Sequence, residues 1–315
     1  MKPIVAFVHS PREKDTAIWL STLQSAMPSI MIRDIQDLSE EQRYQVKVAI
    51  VTSPNAKDFA TLPNLKWIQS LWAGVERLLK IVPDETIALV RLIDPQLAQT
   101  MAEAVLAWTL YLHRDMHKYA QQQAKKEWIR HDLVSATNQT VGILGMGYLG
   151  LKAAKRLQEN GFNVIGWKRH KRVTDLGIQT LSGEEGLSQI TARSDIIVVL
   201  LPLTDQTRGL LNRNFFNMLK SGASLINFAR GAIVEEQALI QALETRRLKH
   251  AILDVFLKEP LPKDHPLWTN PHVTILPHIS GVTNKQTASQ VAANNIKAYF
   301  ESNIIPQSVS RQTGY

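Results

Sequence analysis

The segment Val141-Gly-Ile-Leu-Gly-Met-Gly-Tyr-Leu-Gly150 places three glycines in G-x-G-x-x-G spacing directly after an apolar run that is typical of a β-strand. Dinucleotide binding needs Gly145 for a tight turn, Gly147 for close approach of backbone to a pyrophosphate, and Gly150 for close helix–strand packing. Residues 151–160 follow with a helical pattern, and the N-terminus of such a helix offers free N–H groups and a positive dipole end to phosphates. The segment therefore predicts a dinucleotide site; the alternative is a purely structural turn.

The composition indicates an ordinary globular protein. The chain has 315 residues, of which 44% are apolar and 20% charged, and this length suits about two domains. No long uncharged apolar run occurs, so neither a membrane span nor a signal peptide is expected. The lack of cysteine excludes disulfides, thiolate zinc sites and cysteine nucleophiles, and it fits a cytoplasmic protein; no metal site is expected. The formal charge of +8 favours anionic ligands, whereas no pattern typical of nucleic-acid binding occurs.

Two series of short apolar strands alternating with helical stretches predict two parallel α/β domains. The predicted strands of the first series are residues 4–8, 29–32, 46–51, 67–71 and 87–91. Those of the second are residues 140–144, 163–167, 196–200, 224–228, 250–254 and 273–276, with helices at 212–219 and 235–245. Six strands joined by crossovers suit a Rossmann-type domain. A linker helix is predicted at 100–119 and a helix returning to the first domain at 287–300, which gives domains 1–99 with 283–315, and 100–282.

The segment Trp167-Lys-Arg-His-Lys-Arg172, after the second strand of the second series, indicates the type of dinucleotide. An NAD site usually has Asp or Glu about 20 residues beyond the glycines, where it accepts hydrogen bonds from the ribose 2′-OH. That acid is absent here, and Lys168 and Arg169 would instead bind a 2′-phosphate, Arg169 through its forked guanidinium. The alternative is a solvated basic loop. The sequence favours NADP(H), with weaker use of NAD(H).

Three polar side chains follow three successive strands of the second series. Arg230, in Asn227-Phe-Ala-Arg-Gly231, is placed to bind a carboxylate and polarise a carbonyl, although a lone arginine is more often a surface salt-bridge residue. Glu259 and His278 follow the next two strands and could pair, so that the carboxylate fixes the imidazole tautomer and the ring serves as a general acid. A lone histidine after proline is more often structural. Because the ends of parallel strands face one crevice, the three side chains together predict a catalytic site.

The segment Ser70-Leu-Trp-Ala-Gly-Val-Glu76 ends a strand of the first domain. Small residues at Ala73 and Gly74 would allow backbone N–H groups to bind an anion. A tight turn from strand to helix explains the same residues equally well.

Taken together, the ordered motifs resemble the D-isomer-specific 2-hydroxyacid dehydrogenase family over essentially the whole chain. The motifs are residues 145–150, Leu201-Pro-Leu-Thr204, Asn227 to Gly231, Asp254 to Pro260 and Pro277-His278. Three further stretches look like the glyoxylate/hydroxypyruvate reductase A branch of that family: Leu71-Trp-Ala-Gly-Val75, Arg91-Leu-Ile-Asp94 and the terminal Thr313-Gly-Tyr315. Tyr148 is a departure, since many family members have arginine in the glycine loop at that position.

The resemblance implies a fold, an assembly and a set of site residues. The expected fold class is α/β, with a Rossmann-type doubly wound parallel sheet as the nucleotide domain, a smaller flavodoxin-like α/β substrate domain made from both chain ends, and a homodimer. The implied catalytic residues are Arg230, Glu259 and His278. The expected substrate residues are Trp72, Ala73, Gly74, Val75, Arg230 and His278. The expected cofactor residues are Gly145, Gly147, Tyr148, Leu149, Gly150, Trp167, Lys168, Arg169, Leu201, Pro202, Ala229 and Asp254.

The expected reaction is NADPH-dependent reduction of a small 2-keto acid, glyoxylate to glycolate or hydroxypyruvate to D-glycerate. Arg230 and the amides near Ala73 and Gly74 would hold the carboxylate, and His278, supported by Glu259, would protonate the alkoxide. One alternative is another 2-hydroxy acid specificity, such as lactate or phosphoglycerate. A non-enzymatic dinucleotide-sensing scaffold is the other, because dehydrogenase-like corepressors share this fold. The sequence does not rank glyoxylate against hydroxypyruvate.

Overall fold

The computed structural model describes residues 2–11, 13–170 and 177–315. The chain divides into two compact units, Met1–Leu97 with Thr283–Tyr315, and Ala98–Val282. The predicted boundary after residue 99 therefore falls after Leu97, and the later boundary falls between Val282 and Thr283. Lys171 and Arg172, the last residues of the basic segment, lie outside the described residues.

A five-stranded parallel sheet forms the centre of the first unit. Its strands are β1 (Ile4–Val8), β2 (Met31–Asp34), β3 (Val48–Val51), β4 (Trp67–Ser70) and β5 (Ala88–Val90), in the order β2-β1-β3-β4-β5. The helices between them are α1 (Thr16–Ala26), α2 (Glu40–Gln45), α3 (Ala56–Phe59) and α4 (Glu76–Ile81). This strand order is that of flavodoxin-like sheets, which confirms the expected fold of this unit.

Successive side chains of the central strands point to opposite faces of this sheet, and both faces are buried. In β1, Val5 and Phe7 belong to one buried cluster, whereas Ala6 and Val8 belong to another on the opposite face. Successive side chains of a strand point to opposite faces, and continuous apolar strands are typical of parallel sheets covered on both sides. The strand ends, where polar residues begin, are therefore the parts of the sheet available for ligands.

The helical stretch predicted as one linker helix is two helices. These are α5 (Pro95–His113) and α6 (Met116–Lys125). The chain breaks at Asp115, which has a left-handed φ of 52°. The Asp115 carboxylate accepts hydrogen bonds from Lys118 at 2.9 Å and from Lys249 at 2.5 Å. The prediction of a single helix over 100–119 was wrong because the break is stabilised by Lys249, a residue distant in the sequence.

A seven-stranded parallel sheet forms the centre of the second unit. Its strands are β6 (Thr140–Leu144), β7 (Asn163–Lys168), β8 (Gln179–Ser182), β9 (Ile196–Val199), β10 (Ala223–Asn227), β11 (Leu248–Leu253) and β12 (Val273–Ile275). Its helices are α7 (Tyr148–Glu159), α8 (Gly183–Arg193), α9 (Arg213–Met218) and α10 (Glu236–Glu244). The order β12-β11-β10-β9-β6-β7-β8 is that of a Rossmann-type doubly wound sheet with one added edge strand.

Six strands were predicted for this unit, and all six are present. The seventh, β8, escaped prediction because its residues Gln-Thr-Leu-Ser are at most partly buried and it lies at the sheet edge. The helix α8 was not predicted either. In the sheet interior, Ile197 and Val199 of β9 join one buried cluster and Ile196 and Val198 join the other. The sequence signal is therefore strongest at the sheet centre, where both faces are covered.

The last helix, α11 (Lys285–Ser302), belongs to the first unit. Its side chains Ala288, Ala292 and Ala293 are fully buried in the same cluster as Trp19 and Leu23 of α1. Small side chains allow two helices to approach closely, so the end of the chain completes the core of the first unit, as predicted. Among the described residues, no helix has the length and apolar character needed to cross a membrane.

Candidate functional site

The glycine loop after β6 adopts the tight geometry that its spacing predicts. Gly145 has a φ of +111°, and a Cβ at this position would lie 2.7 Å from backbone atoms of Leu200. Its N–H donates to the carbonyl of Trp167 at 3.0 Å. A Cβ on Gly150 would overlap the carbonyl oxygen of Gly145. Glycine is therefore required at both positions by the packing of the loop, β9 and α7.

Gly147 is different, because the space beside it is open. It is exposed, and a Cβ there would meet no described atom within 4 Å. It is also the N-cap residue of α7, and the first helical bond runs from Leu151 N–H to its carbonyl at 2.9 Å. The N–H groups of Tyr148 and Leu149 lie before that first bond, and they form the end of the helix where anions bind. This open cradle fits a pyrophosphate.

The basic end of β7 carries the residues predicted to bind a 2′-phosphate. Lys168 and Arg169 are both partly buried. The guanidinium of Arg169 donates to the carbonyl of Gln206 at 2.8 Å and also to the side-chain oxygen of Gln206. Gln206 lies in the loop after β9, and its two contacts hold the guanidinium of Arg169 at the edge of the sheet. No sequence signal pointed to Gln206, because its role depends on a contact between two separate loops.

The remaining expected cofactor residues lie at the ends of neighbouring strands. Leu201 and Pro202 follow β9, and Ala229 follows β10. Trp167, in β7, is buried, and its indole N–H donates to the carbonyl of Gly183 at 2.9 Å. Because all strands of this sheet are parallel, their carboxyl ends share one edge, where ligands of doubly wound sheets bind. The indole of Trp167 is engaged inside the protein, so this residue supports the edge through packing.

Arg230 follows β10 and is held by its neighbours in sequence. One guanidinium nitrogen donates to the carbonyl of Ala229 at 2.8 Å, and the Asn227 amide donates to the carbonyl of Arg230 at 3.2 Å. A Cβ on Gly231 would overlap the backbone of Phe256. Gly231 therefore allows the loop after β10 to pack directly on the loop after β11, which carries Glu259.

His278 and Glu259 form the pair that the sequence predicted. Nδ1 of His278 lies 2.8 Å from Oε2 of Glu259, and Oε1 of Glu259 accepts the N–H of Phe256 at 2.9 Å. The His278 and Glu259 side chains are 51% and 36% exposed. An ionised carboxylate only accepts hydrogen bonds, so the Nδ1 atom carries the hydrogen and Nε2 is left for a ligand. A partly exposed imidazole with one nitrogen fixed in this way is suited to move a proton.

Asp254 fixes the loop that carries the histidine. It is only 2% exposed, and its two carboxylate oxygens accept the N–H groups of Ile279 at 2.8 Å and Ser280 at 2.9 Å. The preceding residue, His278, has a φ of +57°, which non-glycine residues adopt only rarely. Asp254 was expected to bind the cofactor; in the structure its carboxylate holds the backbone that presents His278.

The loop after β4, in the first unit, is fixed by a different set of contacts. The N–H of Trp72 donates to Ser70 Oγ at 3.0 Å, and the carbonyl of Trp72 accepts from Ser70 Oγ at 3.1 Å and from Leu92 N–H at 3.0 Å. The Trp72 ring meets Trp19 edge to face, with centroids 6.2 Å apart. The two small residues after Trp72 are partly buried and precede α4. Sequence reasoning found this loop but not Trp19, which lies on a helix far away in the sequence.

The second unit thus brings Arg230, Glu259 and His278 to the ends of three adjacent strands of one sheet, on the edge that also carries the glycine loop. The loop from Trp72 to Val75 belongs to the first unit. Gly145 and Gly150 meet the packing requirements of a dinucleotide loop, and Gly147 leaves room for the phosphates. The residues present therefore fit a dinucleotide cofactor.

A family model described as "D-isomer specific 2-hydroxyacid dehydrogenase, NAD binding domain" matches residues 106–280. Glyoxylate/hydroxypyruvate reductase A of Serratia proteamaculans is 38% identical over 283 residues, which cover 88% of this chain and 89% of that protein. The protein of the same name from Photorhabdus laumondii is 33% identical over 307 residues, covering 96% of this chain and 97% of that one.

Solved structures give the same result. A D-isomer-specific 2-hydroxyacid dehydrogenase from Xanthobacter autotrophicus, in complex with NADPH and MES, is 35% identical with a TM-score of 0.93, and the match covers 100% of both chains. An NADPH-dependent glyoxylate/hydroxypyruvate reductase from Sinorhizobium meliloti, in complex with NADP and sulfate, is 31% identical with a TM-score of 0.87, also over 100% of both chains.

Proposed function

The chain belongs to the D-isomer-specific 2-hydroxyacid dehydrogenase family, in its glyoxylate/hydroxypyruvate reductase A branch, and from this we propose that it is an NADP(H)-dependent reductase of small 2-keto acids. Glyoxylate and hydroxypyruvate are the proposed substrates, with glycolate and D-glycerate as products. The observation that carries this proposal is the contact of 2.8 Å between His278 and Glu259 at the ligand edge of the sheet. A non-catalytic scaffold has no need of an exposed imidazole held by a carboxylate.

In the proposed reaction each residue has a distinct task. Arg230 binds the carboxylate and polarises the keto oxygen, because its fork presents several donors in one plane. In the first unit, the amides at Ala73 and Gly74 are the proposed carboxylate donors. His278 holds a proton on Nε2, since its Nδ1 is committed to Glu259, and it gives that proton to the developing alkoxide. NADPH, when bound, supplies the hydride.

Glu259 and Asp254 act on His278 in different ways. Glu259 fixes the tautomer and places a negative charge beside the ring, which stabilises the imidazolium. Asp254 fixes the backbone directly after His278 through the N–H groups of Ile279 and Ser280. A site whose groups are already oriented reduces the reorganisation needed in the transition state. In the proposed assignment, Arg230 and His278 contact the substrate, and Glu259 and Asp254 position His278.

The preference for NADP(H) rests on the basic end of β7. Lys168 and Arg169 occupy the place where an NAD site usually has an acid, and Arg169 is oriented by Gln206. A 2′-phosphate would accept bidentate hydrogen bonds from this fork. NAD(H), which lacks that phosphate, is expected to be used more weakly.

A homodimer in the cytoplasm is part of the same proposal. The lack of cysteine fits a reducing compartment. A run of large apolar side chains after α6 is exposed, with Trp128 at 93%, Leu133 at 69% and Ile129 at 55%. Contiguous exposed apolar surface is typical of an interface with another protein, and a second copy of this chain is the proposed partner. Light scattering coupled to size exclusion, on the wild type and Trp128→Ser, tests this assembly.

A panel of 2-keto acids assayed with NADPH and with NADH tests the proposed function. We expect reduction of glyoxylate and hydroxypyruvate with NADPH, and lower kcat/KM for each with NADH. If pyruvate or a phosphorylated keto acid is reduced best, the alternative of another 2-hydroxy acid specificity is correct. Binding of NADPH without any turnover would instead favour the dinucleotide-sensing scaffold.

Cofactor preference has its own test. The double variant Lys168→Asp, Arg169→Ser should lose most of its kcat/KM with NADPH and keep that with NADH, since a carboxylate repels a 2′-phosphate. The double variant Lys155→Asp, Lys152→Ser, at two exposed lysines on α7, is the control matched for the change of net charge. Equal or better turnover of the wild type with NADH would contradict the preference.

A further inference from the structure

The motif Arg91-Leu-Ile-Asp94 contains one polar side chain that the fold does not explain. Asp94 is buried, and it accepts hydrogen bonds from Gln96 N–H at 2.9 Å and from the Thr287 hydroxyl at 2.7 Å, so its role is structural. Leu92 is buried in the core of the first unit. Arg91 contributes to neither arrangement, although it lies directly between β5 and these residues.

The guanidinium of Arg91 lacks partners inside the protein. It is partly buried, and among the described residues none forms a hydrogen bond or ion pair with it. Arg43 and Arg311 of the same unit donate instead to two and three backbone carbonyls, respectively. Burial lowers the pKa of the Arg91 guanidinium from its ordinary value. A partly buried cation whose five donors are unused is unfavourable unless a ligand supplies acceptors.

The position of Arg91 relates it to the loop that starts at Trp72. The strands β4 and β5 are parallel neighbours, with Gln69 opposite Val90. Arg91 therefore leaves the sheet at the same edge as the loop after β4. The N–H of Leu92, the residue after Arg91, donates to the carbonyl of Trp72 at 3.0 Å. Arg91 is thus tied through its neighbour to the loop whose amides are proposed to hold the substrate.

We propose that Arg91 is a substrate-specificity residue that binds an oxygen-bearing group on C3 of the 2-keto acid. This inference rests on the proposed function, in which the amides at Ala73 and Gly74, in the same unit as Arg91, bind the carboxylate on C1. The donors of Arg91 then serve the substituent beyond the keto carbon. A hydroxyl or a carboxylate accepts from a guanidinium, whereas glyoxylate has no such group. The favoured class is therefore 3-hydroxy and 3-carboxy 2-keto acids, and hydroxypyruvate ranks above glyoxylate.

The variant Arg91→Met tests this assignment through the ratio of two substrates. We expect kcat/KM for hydroxypyruvate to fall by roughly tenfold or more, the scale of losing a hydrogen bond to a charged group. The fall should appear mainly in KM, and kcat/KM for glyoxylate should change by less than about threefold. Arg91→Lys should recover part of the loss, since it restores the charge without the fork. Arg33→Met, at an exposed arginine of β2, is the control for lost charge in this unit.

Ligand binding gives a second readout that does not need turnover. In the presence of NADPH, tartronate, with two carboxylates, should bind the wild type more tightly than glycolate, with one. Arg91→Met should remove most of that difference and leave the affinity for NADPH unchanged. Equal losses for both ligands and both keto acids, or no loss, would overturn the role of Arg91 alone. A wild type that reduces neither keto acid would contradict the proposed function itself.

Discussion

Two pairs of side chains in the second unit, His278 with Glu259 and His117 with His250, show how the surroundings of an imidazole determine its chemistry. His278 is paired with Glu259 and its side chain is 51% exposed. His117 and His250 pack against each other with ring centroids 4.3 Å apart, and they are 5% and 2% exposed. Within the described part of the chain, the Nδ1 atom of neither buried ring has a hydrogen-bond partner. His278 combines a close counter-charge with access to ligands. The buried rings lack that access, and the carboxylate of Asp115, 4.0 Å from Nε2 of His117, is already paired with Lys118 and Lys249.

The buried pair is held in its neutral form. Burial, and then the nearby Lys249 ammonium, lower the pKa of His117 to about 4. Burial, and then the neighbouring His117, lower the pKa of His250 to about 3. A protonated imidazole at either place would be desolvated beside other cationic groups. The comparison therefore separates a histidine suited to proton transfer from two that make folding sensitive to acid.

Replacing the exposed histidine should have the largest effect on activity. His278→Ala removes the proposed proton donor, and kcat/KM for keto-acid reduction should fall by roughly 10³-fold, within the range known for general acids. The melting temperature and the affinity for NADPH should stay close to those of the wild type, because the side chain is half exposed and the phosphates bind elsewhere. Steady-state kinetics and NADPH fluorescence measure both. A fall of less than about threefold would remove His278 from the reaction.

The buried pair should control stability in acid. The unfolded chain has ordinary histidines with a pKa near 6.5, so below that pH it binds protons that the folded protein does not. The free energy of unfolding should therefore fall as the pH decreases from about 6.5 toward 4. At pH 5 the loss is about 2 kcal/mol for each buried histidine. Urea unfolding at pH 7 and pH 5 measures this loss.

The matched variants for the acid effect are His250→Met and His278→Ala. His250→Met should show a difference between pH 7 and pH 5 that is smaller than the wild-type difference by about 2 kcal/mol. His278→Ala should retain the wild-type difference. If both variants keep the full difference, acid sensitivity comes from groups other than the buried pair.

Removing the negative charge of Glu259 should make His278 a weaker proton donor. Glu259→Gln keeps an oxygen for the N–H of Phe256 but loses the negative charge beside His278. Reductive kcat/KM should fall by roughly tenfold at neutral pH. Since the lost charge stabilises the proton donor in the transition state, the fall should appear mainly in kcat and less in KM. A kcat equal to that of the wild type would show that Glu259 does not act on His278 in the reaction.

The smallest expected effect concerns a hydrogen bond between the buried pair and Thr274. Nε2 of His250 lies 2.9 Å from the hydroxyl of Thr274. Thr274→Val leaves that ring nitrogen unpaired and should lower the free energy of unfolding by about 1 kcal/mol at pH 7. Activity should not change. Thr269→Val, at an exposed threonine nearby in sequence, serves as the control, and an equal loss in both variants would exclude a specific role for the His250 contact.

Much of the site could be predicted because its residues follow strands. Arg230, Glu259 and His278 each come after an apolar run, and parallel strands place their ends along one edge. The contacts between loops could not be predicted in the same way. The hydrogen bonds from Arg169 to Gln206 and from Ile279 N–H to Asp254 each join segments that are far apart in the sequence. Local spacing carries no information about such contacts.

The fold shows the same division. The buried central strands were found because their apolar residues run without interruption, whereas the edge strand β8 was missed because its side chains are at most partly buried. The linker helix was predicted as continuous because no Gly or Pro interrupts it. It breaks at Asp115 because the bond to Lys249 holds that residue in place.

The sequence by itself determined the two α/β units, the glycine loop and the order of polar residues after the strands, because hydrophobic period and glycine spacing are local properties. The tertiary structure decided which histidines are buried and which side chains reach one another. The sequence singled out His278 by its place after a strand, but only the structure showed that Glu259 holds one of its nitrogens and that His117 and His250 are buried against each other. Burial and counter-charge set the behaviour of an imidazole, and both depend on residues brought together only by folding.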